Sequence, residues 1–563
     1  MKYCLLLILL LPTLILAQSP LLPVDHSAYD FLERMETKGL LEHPLLGSKP
    51  VSRVRISALL DEVHEALAGQ PDLLSSVDRD ILSVLRWEFA RDAERFAIDS
   101  PPAEHPDGET RIDWIHSGIL EHGGFLGTFY RNGLNLYSYQ SDKFDGYIDP
   151  RGMARVIQQE GDNRTIAITA VGIRLRGQIY DKLGIYFDFL DNTEQGRGPY
   201  WDRAQLYEDR TGWVPNMEGK EFANYDVSNF DMTFGGGFWE LHLTKTPLRW
   251  GPGQSGQLLL SDWGTSFHQV QAGFNLGSHL RLVYVFGTLK TYPEVYDWLY
   301  NSAGYVRNIE ADKYIAAHRL EWDPHPRFRI AFSETVIFGE RNPELAFLIP
   351  VNFFHSAQHD LGDEDNSLLT FDATWIFHKG WRLYGELLVD DVSFNKLGTD
   401  FYGNKLGWLG GLSCVEPLGL DNLDATLEMV QLRPFIYTHQ YPVNVYTHWT
   451  APLGYRYGPN TETLFFDIRY RPHRRVALNL NLTRSLHGGN TASYNAGGNI
   501  LEPHEHGTDE DAPFLGGALE RMQGIEIGGE IELLMGLYIW SRGSWIDYDG
   551  DGFWEWEAGF RFN

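Results

Sequence analysis

Two hydrophobic periods divide the chain. Up to about residue 100 apolar positions recur at helical spacing, and from about residue 112 they alternate with polar ones. In HSAYDFLERMETKGLL, Phe31, Leu32 and Met35 share one face, and Gly39 is placed to end the helix. SRVRISALLDEVHEALAG predicts a second helix that starts at Ser52, with Ile56, Leu59, Leu60, Val63 and Leu67 as its apolar stripe. A third follows Ser75 or Ser76, with Val77, Ile81, Val84, Leu85 and Phe89 inward. Together they form a small helical unit, and DSPPAEHPDGET at 99–110 is a Pro-rich linker.

Beyond the linker, paired alternating runs meet at tight turns: Asp181–Gly184, Gly235–Gly237, Gly277–Ser278, Asp323–Pro326, His378–Gly380, Pro472–Arg474 and Met535–Gly536. Long segments separate these hairpins, at about 191–226, 289–312, 339–367, 433–462 and 485–522. Tight turns on one rim and long loops on the other describe an outer-membrane barrel and not a soluble sandwich. Counting from GFLGTFYRNGLNLYSYQ to the run ending near Phe562 gives about 18 strands, an even number, with both ends on the periplasmic side. WIHSGILEH would make the total odd, so it is placed at the barrel mouth. In FWELHLT, Trp239, Leu241 and Leu243 point one way and Glu240, His242 and Thr244 the other, one face for lipid and one for the lumen. The expected fold is mainly β: an antiparallel transmembrane β-barrel of about 18 strands over 111–563, with a small helical unit and its linker (18–110) at the periplasmic mouth.

Composition agrees and adds a destination. Aromatics make up 14% of the chain and glycines number 57, as suits a β-rich protein with wet and apolar surfaces interleaved. Lys2, the apolar run Leu5–Leu16 and Ala17 form a secretory signal peptide (1–17), too short to span a bilayer as a helix. Cys4 leaves with it, and Cys414 remains as the only mature cysteine, which excludes an intramolecular disulfide and a cysteine metal cluster. The net charge of −29 argues against broad nucleic-acid binding.

Five stretches raise the question of chemistry. In WGPGQSGQLLLSD, Gly251, Gly253 and Gly256 fit G-x-G-x-x-G, but no amphipathic helix follows and the flanking strands are antiparallel. The expectation is a loop on the extracellular rim or folded into the lumen, shaped by glycine and binding no nucleotide. DYDGDG places Asp547, Asp549 and Asp551 at calcium-loop spacing, but the twelfth position is Ala558; a solvated turn is the plainer reading. His504 and His506 in EPHEHGTDEDAP lack metalloprotease spacing and suit a polar loop. Glu386 and Asp390 share a strand face ~13 Å apart, too far for either glycosidase geometry. No nucleophile elbow stands out, so no catalytic residue is assigned and no cofactor is expected. Finally, aromatics crowd the long segments: Tyr200, Trp201 and Trp213; Tyr292, Tyr296, Trp298 and Tyr300; Tyr437, His439, Tyr441, Tyr446, His448 and Trp449. With Asp, Asn and Arg beside them they suit stacking on sugar rings, and equally an interfacial girdle with loop packing.

Several stretches together resemble the capsule assembly protein Wzi family: HSAYDFLERMETKGLL with SRVRISALLDE, RWGPGQSGQLLLSD, NPELAFLIPVNFF, EDN at 364–366, YGELLVDD, and YTHQYPVNVYTHWTAPLGYRYGPN. The resemblance spans most of the mature chain. It implies an 18-stranded barrel with a helical bundle at its periplasmic mouth and a lectin-like role, attaching capsular or another surface polysaccharide to the cell. The implied partners are that polysaccharide, outer-membrane lipid and other components of polysaccharide export. Two other readings stay open: a porin or sugar channel, which needs an open lumen, and an envelope polysaccharide hydrolase, which needs two carboxylates at glycosidase distance.

Overall fold

The computed structural model describes residues 19–68, 73–96, 135–161, 165–180, 182–196, 222–291, 296–449, 451–534 and 536–562. The signal-peptide reading, the Pro-rich linker and WIHSGILEH lie outside the described residues.

Eighteen antiparallel strands close into one ring. They are β1 (Phe144–Gln159), β2 (Thr165–Ile179), β3 (Leu183–Gln195), β4 (Phe222–Gly236), β5 (Trp239–Thr246), β6 (Phe267–Asn275), β7 (Leu280–Thr288), β8 (Lys313–His325) and β9 (Phe328–Gly339). The ring continues with β10 (Asn366–His378), β11 (Trp381–Asp391), β12 (Lys405–Val415), β13 (Leu423–Leu432), β14 (Thr461–His473), β15 (Val476–Gly489), β16 (Ala518–Leu534), β17 (Leu537–Tyr548) and β18 (Asp551–Phe562). The seam is β18 on β1, from Glu555 opposite Gln159 to Phe562 opposite Gly152. The strand count matches expectation, but its starting point does not. Tyr137–Gln140, the tail of GFLGTFYRNGLNLYSYQ, is a short strand paired only with β1. A tight turn at Ser141–Phe144 then sends the chain into the first wall strand.

Alternation sorts each strand as lipid and lumen require. On β5, Glu240, His242 and Thr244 are buried inside, while Leu243 is exposed outside. Val171, Phe371, Ile527, Trp556 and Phe560 stand on the same outer face around the ring. Among the described residues no helix is long and apolar enough to cross a membrane. Tight turns gather at one rim as expected. The other rim carries long segments except at the seam, where β1–β2 (160–164) and β17–β18 (549–550) are joined by short connections. The long-loop rim is therefore low beside the seam.

The helical unit comprises α1 (Ser27–Thr37), α2 (Arg53–Ala66) and α3 (Ser76–Arg95). Gly39 takes the left-handed conformation (φ +76°) that ends α1, and the Ser75 side chain accepts the Asp78 N–H to cap α3. Phe31, Leu32, Met35, Ile56, Leu59, Leu60, Val63, Leu82, Leu85 and Phe89 form its core. Leu82 fills the place that periodicity gave to Val84, which is half-buried. The unit sits in the tight-turn mouth. Buried Arg34 pairs with Asp78 and reaches Glu416 (2.6 Å) and Asp424 on the β12–β13 hairpin. Arg329 on β9 holds Glu36 at 2.8 Å, Arg91 holds Asp145 on β1 at 3.0 Å, and the Gly380 N–H donates to the Thr37 carbonyl.

Candidate functional site

The lumen is occupied by the chain itself. After β5 the chain turns inward, and Arg249–Trp250 pairs with Ser48–Lys49 from the helical unit, Ser48 opposite Trp250. The glycine-rich stretch follows directly, so it lies inside the barrel. Two inward carboxylates receive its backbone. Glu386 on β11 accepts the Gly253 N–H (3.3 Å) and the Leu258 N–H (2.9 Å). Glu428 on β13 accepts the Gln254 N–H (2.8 Å), the Ser255 N–H (3.0 Å), the Ser255 hydroxyl and the Tyr384 hydroxyl (2.9 Å). The glycines are required for close approach. A Cβ on Gly251 would lie 2.2 Å from a Glu386 oxygen, and one on Gly253 would lie 2.0 Å from the Gly256 carbonyl oxygen. Gly251 (φ +123°) and Gly256 (φ +149°) also use backbone that side chains disfavour. Of the two expected positions, rim or lumen, the lumen is the one observed.

The segment between β13 and β14 completes this plug. Leu258, Leu259 and Leu260 pack with Tyr437, Tyr446 and Tyr455 against inward apolar residues of β7–β13. The Tyr437 and Tyr446 rings stack at 5.4 Å, and their hydroxyls donate to the carbonyls of Leu258 and Leu259. From below, Glu33 on α1 accepts from Gln254 Nε2 (3.2 Å) and pairs with Lys49 and Arg382. Burial alone would raise the Glu33 carboxyl. Lys49, Arg382 and Arg249 outweigh it and hold Glu33 well below the usual carboxylate range.

This placement revises the predicted site residues. Tyr437 and Tyr446 are 0% exposed and His448 is 6% exposed, so no ring face is open to a sugar. These three are plug residues, because their segment folds inward and does not project. Burial pushes the His448 imidazole down to about 3, helped by Lys313, Lys245 and Lys290, and its Nδ1 accepts the Lys290 N–H at 3.0 Å. His439 and Trp449 of the same segment are half-buried. Tyr296 and Trp298 lie on a separate hairpin, Tyr296–Ser302 with Tyr305–Glu310. Tyr200, Trp201, Trp213 and Tyr292 lie outside the described residues.

The calcium reading is not supported. Asp549 (φ +53°) and Gly550 (φ +99°) form a two-residue hairpin turn. Asp547 accepts the Gly550 N–H and Asp549 the Arg521 N–H, while Asp551 pairs across the turn with Tyr548. Among the described residues no three His, Cys, Asp or Glu side chains gather to hold a cation. His504 stacks on Tyr402 at 3.6 Å, as a loop contact.

Sequence reasoning missed Glu428 and the pairing between Trp263 and YRYG at 455–458. Arg456 lies between two rings, 4.7 Å from the Trp263 centroid and 4.6 Å from the Tyr457 centroid. The signal was present in APLGYRYGPN, where an arginine sits between two tyrosines, but its partner lies almost two hundred residues earlier.

A closed 18-stranded ring, apolar outside and carrying its own loops inside against β7–β13, defines an outer-membrane β-barrel with a plug in its lumen. Comparison with known proteins narrows this class. The pattern of the capsule assembly protein Wzi family matches residues 168–527, and the chain belongs to that family. Among solved structures it is similar to Wzi of Escherichia coli, a carbohydrate-binding barrel involved in group 1 capsule assembly. That likeness has 13% identity and a TM-score of 0.57, and covers 97% of this chain and 99% of that one. More distant likenesses include OccK5 of Pseudomonas aeruginosa (9% identity, 74% of this chain and 97% of that one, TM-score 0.40). OprD of the same organism stands alike, with 10% identity, 74% and 94% coverage and a TM-score of 0.41. Comparison with curated proteins gives no match.

Proposed function

We propose that this protein takes part in capsule or exopolysaccharide assembly by binding surface polysaccharide at the outer face of the outer membrane and attaching it there, without catalysis. The observation that carries this reading is the plug. A lumen occupied by two long segments, each tied to inward carboxylates, suits a holder of polymer better than a conduit. The carboxylates weighed for hydrolysis are already engaged: Glu386 with the glycine loop, Asp390 with the Tyr437 N–H (2.6 Å) and Lys405, and Asp372, opposite Glu386 on β10, with Arg319. His439 and Trp449, half-buried in the segment between β13 and β14, are proposed polymer contacts together with the aromatics of the other long segments. Many weak contacts along one polymer give avidity without chemistry. Other polysaccharide-export components are proposed partners.

The test is deletion. Cells lacking this protein should shed polymer into the medium, and re-expression should restore attachment. Polymer that stays on the deletion strain would overturn the reading. Reconstituted protein should carry little current, whereas large stable conductance would favour the channel.

A further inference from the structure

The plug is off-centre. It packs against β7–β13, where inward side chains such as Glu321, Thr335, Leu368, Glu386, Leu388 and Glu428 are all buried. The inward side chains of β15–β17 are not covered in the same way. Asn479, Asn481, Thr483, Glu526, Arg542 and Ser544 face the lumen half-exposed, and the Arg542 side chain keeps 41% of its surface. These residues occupy one inner face, because Asn481 stands opposite Glu526 and Glu526 opposite Ser544. On the plug stands the Trp263–Arg456–Tyr457 stack. Arg456 is exposed and donates to the Tyr457 hydroxyl at 2.7 Å. Tyr455, buried beneath, braces Tyr457 edge-on at 5.8 Å. Tyr457 comes four residues before β14, and the Thr461 hydroxyl at the start of that strand donates to the Tyr457 carbonyl, so the stack lies at the edge of the plug beside β14 and its neighbour β15. The rim is low above β17 and β18, which two residues join, while the long segment 490–517 stands above β15 and β16 and bonds to the plug at Phe435 and Asn460.

We infer that the space between plug and seam wall is a carbohydrate-binding cleft, in which a polysaccharide segment lies on the Trp263–Arg456–Tyr457 platform and runs down the amide- and hydroxyl-bearing face of β15–β17. This deepens the proposed function and rests on it. The chemistry fits a sugar polymer on both sides. Aromatic rings flanking a guanidinium offer a flat apolar face beside fixed donors. The opposite wall offers neutral amides, hydroxyls and ion-paired carboxylates already solvated by water. Exchanging such water for sugar hydroxyls is close to neutral per bond, so many can form along a chain. From Tyr548 to Arg542 the wall extends about 20 Å, enough for several sugar rings. The helical unit underlies this side through Asp30 with Arg469 (3.1 Å) on β14 and Arg91 with Asp145 on β1, so the cleft opens outward.

The test uses the full-length protein in detergent micelles and sized fragments of the surface polysaccharide isolated from the cells that make it. Trp263→Ala and Arg456→Gln should each weaken binding at least tenfold, as should Ser544→Trp, which fills the cleft from the wall and leaves the platform intact. Leu418→Ala, exposed on the tight turn between β12 and β13 at the opposite rim, should bind as wild type. Ser544→Trp also guards against a platform variant that fails to fold. Wild-type binding that survives all three cleft substitutions would overturn the cleft and leave the proposed function standing. Absence of any binding by the wild-type protein would overturn both.

Discussion

Replacing Glu428 by alanine should loosen the plug without breaking the barrel. Glu428 is 1% exposed and accepts from four donors: two backbone N–H groups, the Ser255 hydroxyl and the Tyr384 hydroxyl. Truncation leaves those donors buried without an acceptor. At about 1–3 kcal/mol for each orphaned group, partly relieved by water entering the new space, the loss is roughly 4 kcal/mol. The wall strands keep their ladders, so the loss falls on local opening of the glycine loop. Amide hydrogen exchange reads that opening directly, and 4 kcal/mol corresponds to exchange on the order of a thousandfold faster over residues 253–258. Glu428→Gln, which keeps one acceptor oxygen, should fall between. Glu510→Ala is the control: its partner Lys396 lies at 2.7 Å, but Glu510 is 63% exposed, and such a pair contributes less than about 1 kcal/mol. Single-channel recordings of Glu428→Ala should show intermittent openings as the loop leaves the lumen. Exchange within about threefold of wild type at 253–258 would refute the view that this carboxylate pins the plug.

Gly251→Ala should destabilise the plug by roughly 2 kcal/mol or more, since its Cβ would collide with Glu386 at a φ of +123°; protease sensitivity of the 247–266 segment in otherwise heat-stable barrels measures this. Ile527→Lys, on the lipid face of β16, should cost about 2–4 kcal/mol if it lies near the bilayer midplane, read as a shift in denaturant unfolding. Lysine at the inward Asn481 should cost far less in the same assay, and equal costs would refute the assignment of faces. Acid should weaken the plug through His448. Its folded value of about 3 lies below the unfolded 6.5, so its contribution is complete above pH 6.5 and is lost as pH falls towards 3. Between pH 7 and pH 5 the loss is roughly 2 kcal/mol, visible as faster exchange in 433–460, and His448→Gln should flatten that pH dependence.

The wall was legible because lipid and lumen impose opposite polarities on alternate residues, and the helices because their caps and stripes are local. Occupancy of the lumen was not. WRLYGELLVDD on β11 and VALNLNLTRS on β15 alternate alike, yet Glu386 is sealed under a loop and Asn481 is half-exposed. The difference lies in what docks on each strand, and that contact comes from residues 128 and 133 positions away for Glu386. The same distance hid the burial of Tyr437 and Tyr446. In YTHQYPVNVYTHW they read as loop aromatics, and only the inward path of Gly251–Leu260 turns them into core. GLNLYSYQ alternates as well as any strand and so reads as wall; the turn at Ser141–Phe144 that ends it carries no glycine or proline.

The two inner faces suggest how an inert-looking barrel could hold a polymer. On the β7–β13 side almost every inward charge is answered within the chain: Arg319 by Glu321 and Asp372, Arg281 by Glu240, Glu386 and Glu428 by backbone N–H groups. A ligand entering there would have to break these bonds and leave buried groups orphaned, at several kcal/mol each time. On the seam side the amides, hydroxyls and ion pairs remain wet, so a sugar hydroxyl replaces a water at little cost. Each exchange gains little, and the stacked Trp263–Arg456–Tyr457 platform supplies orientation. Affinity would then grow with the length of polymer engaged, so fragment length, and not the identity of one terminal sugar, should set how tightly a chain is held.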